Sequence, residues 1–539
     1  MKSSEAEPTG QPQVGALSAT CQMYTYEVDK TLALPLIMDM RTASATLPGA
    51  GWYTNAIIQN TESVPVHIRL TARPRGSAAS SGCAETELKP HAFVVFRMDN
   101  PGSDGTIGIP AIATGNFEGS MSVEADGEVR AVVLLSNTPV GSMGRSNGIA
   151  TAAYVGLKAG ANAETTVALG YPIMKSGYSQ RSTQLFVQNM GAVATTAGLN
   201  LYMRDGKTYY AGASIPARSS VAFQASDFVW YHDGTTHPPA SCTLNEGTKC
   251  LGSVRLSSTN GNVLAAVAVE YPSTGVDPIP TVIAHNFTRI PNDPTASQRV
   301  LCPLIKNAVP TGLTGPDGQP VLSSTGIGIM SDDNNGTTDV LAELKIEGGG
   351  VYSQPFSGIP PFSNAIASPW AGTFGGFPQG AKGYAVLTSD KSFNAVVNDG
   401  PEMPSSGYQC SSSGSGFSAP LIKFEFPSPA NSGAFNTEML VHNDSGSLTT
   451  TIRAEFWCRP SDPQALYDHY TVDRVVPPHT SVTFSRATIS PTELPSGKLC
   501  AAHIAPLEVD HAIQGIVTQT TRGLSIPQKD DATYELLPD

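Results

Sequence analysis

Thr183-Gln184-Leu185-Phe186-Val187-Gln188-Asn189 sets apolar side chains at the second and fourth positions after a threonine and ends on an asparagine. Alternation with a period of two marks a strand with one face in a core, and a terminal Asn opens a turn by bonding nearby backbone. The pattern returns at Thr54-Asn55-Ala56-Ile57-Ile58-Gln59-Asn60, Thr325-Gly326-Ile327-Gly328-Ile329-Met330-Ser331 and Thr437-Glu438-Met439-Leu440-Val441-His442-Asn443. The distance from Thr to Asn or Ser is the same in every copy.

Upstream of each copy lies a second signature: Pro35-Leu36-Ile37-Met38, Pro172-Ile173-Met174-Lys175, Pro303-Leu304-Ile305-Lys306 and Pro420-Leu421-Ile422-Lys423. Successive copies are about 120 to 140 residues apart, the length of one β-sandwich with its loops. A third element closes each unit, as in Ser120-Met121-Ser122-Val123 leading to Ala131-Val132-Val133, and Ser253-Val254-Arg255-Leu256 leading to Ala265-Ala266-Val267. Asp126-Gly127 and Asn260-Gly261 lie between such runs and predict hairpins, as does Asp205-Gly206.

The expected architecture is all-β: four tandem immunoglobulin-like or jelly-roll-like β-sandwich domains with extended N- and C-terminal tails. The limits predicted are 1–30 for the first tail, then 31–157, 158–293, 294–410 and 411–524, with 525–539 as the last tail. Gly160-Ala161-Asn162-Ala163, the segment around Pro291-Asn292-Asp293-Pro294, and Ser411-Ser412-Ser413-Gly414-Ser415-Gly416 read as linkers.

Composition agrees with strands. Gly (52) and Pro (42) are abundant and disfavour helices, while charged residues are only 14% against roughly 25% in an ordinary soluble domain. The net charge of −13 carries no basic stripe, which argues against nucleic acid as a partner. The longest apolar run, Val263 to Val269, is strand-sized and short of a membrane helix, so no transmembrane segment is expected. Met1 to Pro8 shows no apolar core of a secretory leader.

The second copy resembles tandem β-sandwich repeat modules of bacterial secreted and cell-surface proteins. The residues that carry the resemblance are Gln188-Asn189, Tyr202-Met203-Arg204-Asp205-Gly206 and Gly252-Ser253-Val254. Copies three and four lack the Asp-Gly hairpin. The resemblance implies a scaffold or interaction role and no chemistry.

Eight cysteines avoid any C-x-x-C spacing, which excludes zinc-ribbon and thioredoxin sites. They fall two to a unit, and the expected pairs are Cys21–Cys83, Cys242–Cys250, Cys302–Cys410 and Cys458–Cys500. Disulfides would set the protein outside the cytosol, extracellular or at the cell surface. The alternative is eight buried thiols, since spacing alone does not fix connectivity.

Catalytic patterns are sparse. Gly144-Arg145-Ser146-Asn147-Gly148 matches the G-x-S-x-G elbow, but that motif needs an α/β setting, and a glycine-rich turn is the plainer reading. Asp332, Asp333 and Asn335 gather oxygen atoms of the kind calcium takes, without the order or the closing Glu of a calcium loop. His232 and His237 flank Asp233-Gly234 beside Trp230 and Tyr231, where a metal lacks a third ligand and aromatic rings offer a sugar or protein contact. Asn286, Asn335 and Asn443 head N-x-[ST] triplets. No enzyme is expected. The predicted role is a self-assembling structural subunit of a filament, sheath, surface layer or stalk, an extended rod of beads whose partners are copies of itself or other surface proteins. The alternative is an adhesin or a carbohydrate- or protein-binding module array.

Overall fold

The computed structural model describes residues 30–538 apart from residues 45, 49, 98–105, 113–114, 138–149, 159–167, 205, 233, 240–249, 273–281, 292, 294, 315–317, 347–348, 370–373, 400–405, 428–433, 461–465 and 523–531. Nearly all its regular structure is strand, in antiparallel sheets. The N-terminal tail expected over residues 1–30 lies, but for Lys30, outside the described residues.

One strand order recurs four times. In the second unit a five-stranded sheet runs Thr208–Ile215, Thr195–Met203, Leu251–Ser258, Leu169–Lys175, Thr288–Arg289. It faces a four-stranded sheet ordered Ser220–Gln224, Arg181–Asn189, Leu264–Pro272, Ile283–Asn286. The fourth unit repeats this with Asp468–Val476, Thr450–Cys458, Lys498–Pro506, Phe417–Phe424 and Leu537–Pro538 over a sheet centred on Ala434–Asn443 and Ile513–Arg522. The third follows suit, with Val351–Ile359, Thr338–Lys345, Lys382–Ser389 and Gln298–Lys306 facing the sheet of Thr325–Ser331 and Phe393–Asp399. In the first unit Leu32–Ala43 also pairs with Ala50–Asn60, which joins both layers into one ten-stranded sheet.

The recurring proline has a structural reason. In each unit the register of the first strand slips across that residue: between Leu34 and Ile37, Tyr171 and Met174, Cys302 and Ile305, and Ala419 and Ile422. Proline has no N–H to give a ladder, and a bulge is where a strand interior tolerates it. The bulge then redirects the next residues toward the facing sheet.

Three expectations need correction. Asp126-Gly127 and Asn260-Gly261 do not close hairpins. Asn116–Ala125 pairs with Leu32–Ala43 and Val66–Pro74, whereas Val129–Asn137 pairs with Ala50–Asn60 and Ala150–Val155. The turn carries the chain from one layer to the other, and Asn260-Gly261 does the same. The hairpin at Gly206 does form, between Thr195–Met203 and Thr208–Ile215, and its counterparts in units three and four form without an Asp-Gly pair.

The C-terminal tail is also partly strand. Ala532–Glu535 pairs with Ile513–Arg522, and Leu537–Pro538 pairs with Phe417–Phe424, so residues 532–538 complete the fourth unit. Likewise Leu157–Lys158 closes back on Leu32 and Ala33 across the expected 157/158 limit. The Ser/Gly-rich stretch at 411–416 is pinned rather than loose. Ser411 exchanges backbone bonds with Leu301, and Gly414 does so with Ile513.

The third correction concerns shape. Phe186, Val267 and Val269 of the second unit pack into the core cluster of the first, and Val396 of the third packs into that of the second. Ile516 of the fourth packs into that of the third. Ile57, Phe93, Val132 and Leu134 of the first unit share a cluster with the fourth. The contacts close a circuit in place of the expected rod. Strands such as Leu169–Lys175 and Val129–Asn137 are buried along their whole length. A sheet apolar on both faces needs cover on both. The low charge content follows from that burial.

Candidate functional site

The four seams of the circuit share a building plan. Just before Phe93–Arg97, Ser220–Gln224, Asn364–Ala367 and Ser481–Phe484, the four units set a non-glycine residue in the left-handed region: His91 (φ 55), Arg218 (φ 56), Phe362 (φ 55) and His479 (φ 55). Three of these visibly reach the preceding unit. Arg218 pairs with Glu124 at 2.7 Å, Phe362 lies under the Arg255 guanidinium at 5.0 Å, and His91 stacks on Trp457 at 4.3 Å. Such a backbone conformation is costly for these residues, and it persists where packing over-determines it.

The seam between the second and third units holds buried charges. Glu270, 1% exposed, receives Lys175 Nζ at 2.8 Å, the Arg181 guanidinium, and Asn398 Nδ2 at 3.0 Å. The two cations hold its carboxyl down at about 2 against the opposing effect of burial. His285 bonds through Nε2 to Asn398 Oδ1 at 2.6 Å, and burial lowers its pKa to about 4. In the other three units the matching position is a tyrosine, and Tyr154, Tyr408 and Tyr534 each donate to a carbonyl beside the bulge, of Leu36, Leu304 and Leu421. The Glu270 group is closed to solvent and bonds one unit to the next, so it offers a substrate no approach.

The calcium candidates do not converge. Asp332 is buried, where its Oδ1 accepts Asn394 Nδ2 at 2.6 Å and its Oδ2 accepts Ser392 Oγ at 2.9 Å. Asp333 instead pairs with Lys391 Nζ at 2.5 Å and caps the Asn335 N–H at 2.9 Å. The cation beside Asp333 is thus the Lys391 ammonium.

Two of the three triplet asparagines, Asn443 and Asn286, hold structural bonds. Asn443 is fully buried, and its Nδ2 donates to the carbonyls of Leu448, Val476 and Pro477 while its Oδ1 accepts Ser445 N–H at 3.0 Å. Asn60 and Asn189 make the same set of bonds. Asn286 donates to the Val155 carbonyl across the seam of the first two units. Asn335 is exposed.

Two disulfides are fully placed. Cys302–Cys410 joins Cα atoms 4.6 Å apart, and Cys458–Cys500 joins directly opposed residues of Thr450–Cys458 and Lys498–Pro506. Cys83 and Cys250 are also disulfide-bonded. Cys21, Cys242 and the Ser146 motif lie outside the described residues.

Trp230–His232 and Thr235–His237 form a small hairpin that includes Trp230 and Tyr231. The half-buried Trp230 ring meets His237 at 5.9 Å and lies under Lys207 Nζ at 4.8 Å. Beside it Tyr210 is bonded to Val229 through backbone, with Tyr210 54% exposed. This is an aromatic surface with a cation at its rim. In the third unit a shallow groove of about 390 Å³ is lined by Leu341, Phe356, Asp339 and Asp390 among others.

Sequence reasoning missed one cluster altogether. His442, Asp444 and His479 bring one nitrogen or oxygen each within 4.8 Å of one another. Asn443 clasps them together, since its N–H donates to the Thr480 carbonyl at 2.9 Å and its carbonyl accepts the His479 N–H at 3.0 Å. The signal in the sequence was faint: an i, i+2 His/Asp pair astride the end of a strand that must meet a histidine far along the chain. Among the described residues, no helix is long and apolar enough to cross a membrane. No protein-family model matches the chain, and no curated protein matches it.

Proposed function

We propose that this chain is a non-enzymatic, extracellular or cell-surface scaffold that acts by recognition, with the second unit's aromatic hairpin as its contact surface. The observation that carries the reading is the use of the sheet faces. The units cover one another, so the broad apolar surfaces that would drive lateral packing of copies are spent inside the molecule. Tyr210 is exposed next to the half-buried Trp230, over whose ring Lys207 lies, a combination suited to a carbohydrate ring, whose C–H face stacks on an aromatic while its hydroxyls bond to polar groups. The disulfides support an oxidising compartment.

Glycan-array binding followed by calorimetry tests this. Tyr210→Ala should weaken binding of a retained glycan by roughly tenfold with thermal stability preserved, and Trp230→Ala should weaken it as much with a lower thermal midpoint, because that ring also packs against the core of the unit. A protein that retains no glycan, or binds it equally well without both rings, overturns the reading.

The second reading, a self-assembling subunit, draws on the outer strands. Val351–Ile359 and Asp468–Val476 are sheet edges that expose Val351 and Val475 at 56% and 71%. Unpaired edges accept strands from other copies. Filaments or sheets of the untagged protein in electron microscopy would favour it.

A further inference from the structure

We propose that His442, Asp444 and His479 bind a divalent transition-metal cation of the zinc type at the seam between the third and fourth units. Two imidazoles and one carboxylate with room for water are the donor set of such ions, whereas calcium and magnesium prefer oxygen alone. His442 is 0% exposed, yet its Nε2 has no hydrogen-bond partner, although buried polar atoms are normally satisfied. Its other nitrogen, Nδ1, lies 3.1 Å from Ser481 Oγ. An Nδ1–H donated there leaves the Nε2 lone pair free, the arrangement by which histidine ligands are fixed in tautomer and orientation.

Asp444 is held from behind. The Arg299 guanidinium grips both its oxygens and Ser413 donates to one of them, which leaves one of a carboxylate's about four acceptor sites over. His442 is the penultimate residue of Ala434–Asn443, and Asp444 follows directly after that strand, where its N–H donates to the Ala512 carbonyl at 2.9 Å. His479 approaches from the turn before Ser481–Phe484, whose register with the His442 strand is fixed by the His442–Ser481 pairing. Four-coordinate zinc at about 2.0–2.1 Å from its ligands needs donor atoms roughly 3.3 Å apart. The three donor atoms lie within 4.8 Å of one another, and of the three side chains His479 is the exposed one.

The test uses full-length protein without a histidine tag, stripped with chelator and titrated with Zn²⁺ by calorimetry, with Co²⁺ added in parallel to read the visible spectrum. One equivalent of Zn²⁺ should bind, and Co²⁺ should give the intense bands of a low-coordinate site. His479→Ala, an exposed position, should weaken binding roughly tenfold or more while the metal-free thermal midpoint stays unchanged. Absence of saturable one-equivalent binding, or undiminished binding by His479→Ala, overturns the assignment.

Discussion

The Thr437 hydroxyl accepts the backbone N–H of Lys423 at 2.8 Å, tying the second recurring motif to the first across the two layers of a unit. Thr54 takes the N–H of Met38, Thr183 that of Lys175 and Thr325 that of Lys306, each at 3.0 Å. All four threonines are buried. The bulge at the proline turns this N–H out of its own ladder, and the threonine is the partner it then finds. The two motifs recur together because neither is satisfied alone.

Thr437→Val keeps the side-chain shape and leaves the Lys423 N–H buried without an acceptor. The expected cost is about 1–3 kcal/mol, read as a lower thermal midpoint, while Thr437→Ser retains most of the stability. Equal midpoints for valine and serine would remove the hydroxyl from the account.

Asn189→Asp should be worse than Asn189→Ala at pH 8. A carboxylate only accepts, and here it would face the carbonyls of Val193, Ile215 and Pro216 that Asn189 Nδ2 now serves. Urea titrations should show the gap narrowing at pH 4, as the aspartate takes up a proton. A pH-independent gap would contradict this.

Gly328 marks a seam where the side chains of Ile173 and Pro172 come up against bare backbone. A Cβ there would sit 2.2 Å from Ile173 Cγ1 of the second unit. Gly328→Ala should cost about 1–3 kcal/mol by overpacking, and adding Ile173→Ala should recover part of it. Additive losses in that cycle would mean the two residues do not touch.

Burial raises the Asp332 carboxyl to about 7, an effect the donors Ser392 and Asn394 only partly oppose. The folded state therefore keeps this proton where the unfolded chain, near its ordinary value, has lost it. The stability it contributes is complete below about pH 4 and is lost as pH rises through about 7. Asp332→Asn mimics the protonated form, so its thermal midpoint should exceed that of the natural protein at pH 8 and match it near pH 4. A variant that is less stable at pH 8 would show that the charged form is the one the fold prefers.

Much of the sandwich was written in local pattern. Period-two alternation in Thr183 to Asn189 and its copies gave the strands, and Asn189 opened the turn its side chain indeed bonds. The hairpin errors at Asp126-Gly127 and Asn260-Gly261 arose because a tight turn fixes local direction only. Whether the next strand pairs with its predecessor or crosses to the other layer depends on which sheet has an open edge.

The candidate sites were less legible. Asp332 and Asp333 look alike in sequence, yet one is buried against Asn394 and the other turns toward Lys391. His442 and His479 share no motif, and only the pairing of Ala434–Asn443 with Ser481–Phe484, the strand that His479 precedes, brings them together.

By itself the sequence determined the strands, the prolines that force bulges and the threonines and asparagines that clip each unit, because these are satisfied by neighbours within one repeat. Only the tertiary structure decided that the fourth unit returns to the first, as in the Arg130 guanidinium that donates to the Pro538 carbonyl at 2.7 Å. An apolar face shows that it must be covered, but what covers it depends on where the other units lie, and that is a property of the whole chain.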